Sequence, residues 1–153
     1  MTSPSNQQTI TIGIVDDHPL TRFALRSVIE GEAAWRVTVE CASPTELLRQ
    51  LQLQQPDVLL VDLSFGDGCG MELLETMRGD FPDVKALVYS ARVEQEFATR
   101  CFRLGAVGFV SKEEPLTQVR EAIKTVARGY MYVSDRLTNS LMDEFASASE
   151  VLG

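Results

Sequence analysis

The chain has 153 residues, of which 44% are hydrophobic, so it can bury one core but is short for two ordinary domains. Its 14 Lys and Arg against 22 Asp and Glu give a formal net charge of -8 without an obvious basic cluster, which argues against direct DNA contact. Because the N-terminus is polar and no run of about 18 apolar residues occurs, we expect neither export nor a membrane span, and hence a cytoplasmic protein.

Short runs of β-branched and aliphatic residues alternate five times with stretches of helical spacing. The predicted strands are ITIGIV from Ile10, RVTVEC from Arg36, DVLLVD from Asp57, VKALVY from Val84 and VGFV from Val107. The predicted helices run over 19–31, 44–54, 70–80, 94–104 and 115–128. We expect Asp17, Ser43 and either Glu113 or Glu114 to cap the helices that begin near prolines. The alternation predicts an α/β fold of the (βα)5 type.

The third predicted strand is continuously apolar over DVLLV, which is typical of a central strand covered on both faces. Strands that are joined by helices lie parallel. We therefore expect a doubly wound, flavodoxin-like sheet of five parallel strands in the order 2-1-3-4-5. In such sheets, ligands bind beyond the carboxyl ends of the strands, where the strand order reverses.

Polar residues stand at the carboxyl ends of four predicted strands. They are Asp16 and Asp17 after the first, Asp62 after the third, Ser90 after the fourth, and Ser111 and Lys112 after the fifth. Three carboxylates in one crevice repel one another unless one takes up a proton or a cation such as Mg²⁺ lies among them. With Lys112 and Ser90 able to bind a phosphoryl group, Asp62 is a candidate covalent phospho-acceptor.

With these motifs in place, the chain resembles the receiver domain of bacterial two-component response regulators over about 10–128. The resemblance rests on IVDDH, on VDLS with Gly70 closing the next loop, on YSAR, and on GFVSK followed by PLTQVREAI. It implies that a sensor histidine kinase phosphorylates Asp62 and that Asp16, Asp17, Asp62 and the backbone carbonyl of Ser64 bind Mg²⁺.

The resemblance also implies a phosphorelay switch rather than an enzyme, with at most slow self-dephosphorylation. Lys112 and Ser90 then contact the phosphoryl group, and Ser90 with Phe109 forms the conformational switch. We expect the phosphoryl group to draw Ser90 toward it and Phe109 to turn inward.

DDHP and ARGYMYVSDRLTNSLM further resemble the NarL/LuxR-type branch, whose members carry a helix-turn-helix output domain. This implies a disordered tail over 1–9, a receiver domain over 10–130, and a linker or C-terminal helix over 131–153 that leads to an output domain not in this chain. Transcription regulation, DNA contact through that absent domain, and a possible homodimer on phosphorylation follow as expectations.

Three other interpretations share parts of this pattern. An aspartyl-nucleophile phosphohydrolase usually has a second Asp two residues after the nucleophile, where this chain has Ser64. A flavodoxin-like cofactor binder does not need three acids beside an anionic phosphate. A stand-alone receiver would act by protein–protein interaction alone. His18, the one histidine, is interpreted as an exposed loop residue rather than a base or ligand.

Overall fold

Five βα units follow one another along the computed structural model, which describes residues 9–63, 70–92, 94–135 and 137–139. The elements are β1 (Ile10–Val15), α1 (Pro19–Glu30), β2 (Trp35–Cys41), α2 (Pro44–Leu53), β3 (Val58–Val61), α3 (Gly70–Asp80), β4 (Lys85–Ser90), α4 (Gln95–Arg103), β5 (Gly108–Ser111), α5 (Leu116–Ala127) and β6 (Tyr132–Val133). The (βα)5 alternation is therefore confirmed. Most of the predicted tail over 1–9, and residues 140–153, lie outside the described residues.

The strands form one sheet in the order β2-β1-β3-β4-β5-β6, and every neighbouring pair is parallel. The predicted order 2-1-3-4-5 is confirmed, but the sheet has a sixth strand in addition to the five predicted. Strand β6 pairs Tyr132 and Val133 with Gly108 and Phe109 of β5. It was not predicted because two residues are too few to show a hydrophobic period.

Strand β3 lies at the centre of the sheet, and all four of its residues are buried. Leu59 and Val61 belong to the core cluster that includes buried residues of α2, α3 and α4. Val58 and Leu60 belong to the cluster on the other face, with buried residues of α1 and α5. Helices on both faces explain why this strand is apolar throughout rather than alternating.

The helix caps agree only in part with the prediction. Ser43 does cap α2, where its hydroxyl accepts the backbone N–H of Glu46 at 3.3 Å. The prediction of Asp17 for α1 is wrong, because His18 precedes Pro19 and occupies the cap position without a side-chain bond. The prediction of Glu113 or Glu114 for α5 is also wrong, because the helix begins at Leu116 and Pro115 is its cap. None of the described helices is long and apolar enough to cross a membrane.

Candidate functional site

Two buried carboxylates lie side by side where β1 and β3 end. Val15 pairs with Val61 in the parallel register, so the residues that follow, Asp16 and Asp62, leave the sheet at the same level. The N–H of Asp62 donates to the carbonyl of Val15 at 3.0 Å, which extends the pairing beyond the strands. Asp16 is 1% exposed and Asp62 is 2% exposed. Since buried carboxylates require charge partners, this edge of the sheet requires a cation.

Lys112 supplies a positive charge to both carboxylates. It follows β5, and its Nζ lies 3.0 Å from Oδ2 of Asp62 and 3.3 Å from Oδ2 of Asp16. Burial lowers the pKa of Lys112, but the hydrogen bond to Asp62 and the charge of Asp16 outweigh this effect. The pKa of Lys112 therefore lies above its ordinary value, and the side chain is an ammonium at neutral pH.

Asp17 and His18 complete the mouth of the pocket from its exposed side. The Nδ1 atom of His18 lies 2.9 Å from Oδ1 of Asp17, 3.0 Å from Oδ1 of Asp16 and 3.7 Å from Oδ2 of Asp62. The predicted exposure of His18 agrees with a side chain that is 58% exposed. Its position over the acids was not predicted, and the only signal for it in the sequence is its place directly after Asp16 and Asp17.

The predicted switch residues lie deeper, on β4 and β5. Ser90 is fully buried at the end of β4, and its hydroxyl accepts the backbone N–H of Arg92 at 3.0 Å. Phe109 is also fully buried and packs edge-on against Phe97 of α4, with ring centroids 6.0 Å apart. The guanidinium of Arg92 lies 4.4 Å above the ring of Phe97. The inward position of Phe109 expected after phosphorylation is thus the position it has here.

The structure brings Asp16, Asp17, Asp62 and Lys112 into one pocket, as the sequence predicts. Ligand atoms of Asp16, Asp17, His18 and Asp62 all lie within 4.8 Å of one another, which is close enough for a single metal ion. An oxygen-rich set of this kind suits a hard divalent cation. Ser64, predicted to offer its backbone carbonyl to that cation, lies outside the described residues.

A parallel sheet with acids and a lysine at its carboxyl edge is the arrangement of receiver-like α/β proteins. Comparison with known protein families leads to the same class. The chain belongs to the family described as response regulator receiver domain, whose model matches residues 12–124. The predicted resemblance to receiver domains of the NarL/LuxR-type branch is confirmed. Receiver domains bind Mg²⁺ at an acidic pocket like the one formed here.

Two curated relatives match most of the chain. It is 29% identical over 145 residues to the transcriptional regulatory protein DegU of Brevibacillus brevis, covering 95% of this chain and 61% of that protein. It is 33% identical over 139 residues to the oxygen regulatory protein NreC of Staphylococcus aureus strain JH9, covering 90% of this chain and 64% of that protein. The chain thus spans about three-fifths of the length of these relatives.

Two solved structures support the fold. A two-component response regulator of the LuxR family from Aurantimonas sp. SI85-9A1 is 27% identical, with a TM-score of 0.86 over 91% of this chain and 99% of that chain. The isolated REC domain of RcsB from Salmonella enterica serovar Typhimurium in the apo form is 25% identical, with a TM-score of 0.79 over 87% of this chain and 98% of that one.

Proposed function

We propose that this receiver domain accepts a phosphoryl group from a sensor histidine kinase on Asp62, with Mg²⁺ in the acidic pocket. The observation that carries the proposal is the position of Asp62, which is buried at the end of the central strand, 3.0 Å from the ammonium of Lys112. A carboxylate in this setting is a nucleophile with a cation beside it, and phosphoryl transfer depends mainly on positioning and charge.

The transfer needs no general base when Asp62 reacts as the anion beside the ammonium of Lys112. Its oxygen bonds to phosphorus while the bond from phosphorus to the kinase histidine nitrogen breaks, and that nitrogen keeps the electron pair. Lys112 then turns its ammonium from the carboxylate toward the phosphoryl oxygens, within reach of its present position. The negative charge of the adduct is thereby matched by a cation that is already in the pocket.

Asp16, Asp17 and Asp62 are the side chains that would hold Mg²⁺, together with the proposed carbonyl of Ser64. When bound, Mg²⁺ supplies positive charge that offsets the repulsion between these acids and an incoming phosphoryl group. The distances between their ligand atoms support this assignment. The domain would then act as a phospho-acceptor switch and not as a turnover enzyme.

The switch runs through contacts that start at Ser90. When the hydroxyl of Ser90 turns to the phosphoryl group, it gives up the N–H of Arg92. Arg92 covers Phe97, and Phe97 packs on Phe109, so a shift of Arg92 reaches the start of α4 and the core beneath it. A bistable segment of this kind shifts only by the free-energy difference that the new contacts provide.

We further propose that 10–130 is the receiver unit and that 131–153 leads to a DNA-binding output domain that controls transcription. The support is that DegU is described as a transcriptional regulatory protein and that it and NreC are longer than this chain. Homodimer formation on phosphorylation belongs to the same proposal, since RcsB has been solved as two dimers bound to two parallel DNAs.

The test is intact mass spectrometry after incubation with acetyl phosphate and Mg²⁺. We expect one phosphoryl adduct in the wild type and none in Asp62→Asn, which keeps the shape of the side chain but loses the nucleophile. Asp57→Asn is the matched control, because Asp57 precedes the same strand at its opposite end, where its carboxylate accepts bonds from Thr11. An equal adduct in Asp62→Asn would reject the acceptor assignment. Steady release of acetate at a rate much faster than slow self-dephosphorylation allows would reject the non-enzymatic role.

A further inference from the structure

We propose that His18 is a nitrogen ligand of the metal in the acidic pocket and gives that site a preference for first-row transition cations over Mg²⁺. The proposal rests on the proposed function in one respect, that the pocket formed by Asp16, Asp17 and Asp62 binds a divalent cation. What it adds is a residue that determines which divalent cation the site prefers.

The backbone holds His18 over the pocket. Its N–H donates to Oδ1 of Asp16 at 2.8 Å, which closes a tight turn between the two residues. Pro19 follows, and His18 has the extended backbone that a residue before proline prefers, with φ -100° and ψ 109°. These two constraints direct the imidazole back toward the acids instead of out along α1.

The distances around Nδ1 are those of ligands that share an ion. Ligands about 2.1 Å from an octahedral metal lie about 3.0 Å apart when they are adjacent and about 4.2 Å apart when they are opposite. The Nδ1 atom of His18 lies 3.0 Å from Asp16, 2.9 Å from Asp17 and 3.7 Å from Asp62. The separations to Asp16 and Asp17 match adjacent ligands, and the separation to Asp62 lies between the adjacent and opposite values. An ion can therefore reach the imidazole without a large movement of the carboxylates.

The imidazole can serve in either of two roles without gaining or losing a proton overall. With the hydrogen on Nδ1 it donates to the carboxylates, and with the hydrogen on Nε2 its Nδ1 lone pair faces the same oxygens and any ion among them. A metal therefore selects the second tautomer. Because the side chain is 58% exposed, the ring can also move aside to admit the ion.

A nitrogen ligand changes which ion is favoured. Mg²⁺ takes oxygen ligands and keeps several of its waters, so it gains little from an imidazole. Transition cations bind imidazole well, and their affinities for mixed nitrogen and oxygen sites rise from Mn²⁺ to Cu²⁺. His18 should therefore strengthen binding of Mn²⁺ and Co²⁺ while it leaves Mg²⁺ affinity nearly unchanged.

The test uses Mn²⁺ bound to the untagged chain, with pulsed electron paramagnetic resonance to detect imidazole nitrogen coupled to the ion. Since the chain has one histidine, an imidazole signal can come only from His18. We expect the signal in the wild type and its loss in His18→Ala. The control is the double variant His18→Ala with Gln54→His, which restores one exposed imidazole at the end of α2 without restoring the signal.

Calorimetric titrations with Mn²⁺ and Mg²⁺ at one fixed pH give the second readout. We expect His18→Ala to weaken Mn²⁺ binding by at least about tenfold, as loss of a metal-site partner commonly does, and to change Mg²⁺ binding by less than about threefold. Tight Mn²⁺ binding without an imidazole signal, or equal losses for both ions, would overturn the role of His18 alone. Failure of the wild type to bind either ion would instead overturn the metal site and the proposed function with it.

Discussion

The side chain of Lys112 joins two buried carboxylates that come from different strands. Asp62 and Asp16 are both almost fully buried, and the ammonium lies within 3.3 Å of an oxygen of each. Removing one member of a buried charged group costs more than the group contributes as a whole, because the remaining charges lose their partner. Lys112 therefore has a structural role in addition to the proposed role toward the phosphoryl group.

We expect Lys112→Met to lower the free energy of unfolding at neutral pH by about 1–3 kcal/mol in EDTA, since it leaves two carboxylates facing each other. The pKa of Lys112 is raised in the folded state, so its stabilising effect is fully present below the unfolded-state pKa of 10.5 and is lost as pH rises through the folded-state value. The difference between wild type and variant should shrink in that alkaline range. Urea unfolding at several pH values measures it.

Lys124→Met is the control for this experiment, because Lys124 forms a surface pair with Glu121 at 3.8 Å within α5. Exposed pairs of this kind contribute at most about 1 kcal/mol. Equal losses in Lys112→Met and Lys124→Met at neutral pH would show that the buried carboxylates do not depend on Lys112.

The sequence predicts the pocket residues whose positions the sheet itself determines, and it does not predict those whose positions depend on side-chain contacts. Asp62 and Lys112 directly follow buried strands, so the parallel sheet alone brings their backbones to one edge. His18 depends on a turn whose geometry comes from the side chain of Asp16, and a single exposed histidine gives no periodic signal. The sequence therefore predicted its exposure but not its contacts.

At the scale of elements, the start of α3 is fixed by close packing against the segment that carries Asp62. A Cβ on Gly70 would lie 2.6 Å from the carbonyl oxygen of Leu63 and 2.9 Å from its Cα. These are backbone atoms, and they cannot move aside as a flexible side chain can. Gly70 is therefore required for the approach of α3 to the end of β3.

We expect Gly70→Ala to destabilise the domain by about 1–3 kcal/mol and to slow phosphorylation, because the displaced Leu63 adjoins Asp62. Gly79→Ala is the matched control on the same helix, where a Cβ meets nothing within 4 Å. That change should stabilise α3 by up to about 1 kcal/mol, since alanine has the better helix propensity. Thermal unfolding followed by circular dichroism compares the two, and a destabilised Gly79→Ala with an unaffected Gly70→Ala would contradict the packing argument.

The five strands and five helices predicted from hydrophobic periodicity are all present, and among the described residues only the two-residue β6 was missed. The five predicted strands each show a run of apolar residues, whereas Tyr132 and Val133 join β5 through long-range pairing alone. Two of the three cap predictions were wrong for a similar reason, because the cap position depends on where a helix begins to within one residue. Pro115 is the cap of α5, directly after the predicted Glu113 or Glu114, since α5 begins at Leu116.

For the whole molecule, the proposed switch predicts two effects of phosphorylation. The conformation of the segment between β4 and β5 changes, and this change alters the self-association of the domain. Ser90→Ala should still accept the phosphoryl group but lose this response, because it removes the hydroxyl that turns from the Arg92 N–H to the phosphoryl group. Sedimentation and amide exchange over 90–112, with and without beryllofluoride, measure the response.

Ser111→Ala is the control for the switch, because the hydroxyl of Ser111 is equally buried at the end of β5 and accepts the N–H of Glu113 at 3.1 Å. It should keep the beryllofluoride response of the wild type. A wild type without any change in exchange or association would contradict the switch and leave the phosphoryl chemistry intact.

The central claim is that Asp62 is the phosphorylated residue, and borohydride reduction tests this claim most directly. Borohydride converts an aspartyl phosphate to homoserine, and peptide mass mapping then locates the changed residue. After treatment with acetyl phosphate and Mg²⁺, we predict homoserine at position 62, with Asp16, Asp17 and Asp57 unchanged. Homoserine at another aspartate, or an adduct that resists borohydride, would contradict the assignment of Asp62 as the acceptor.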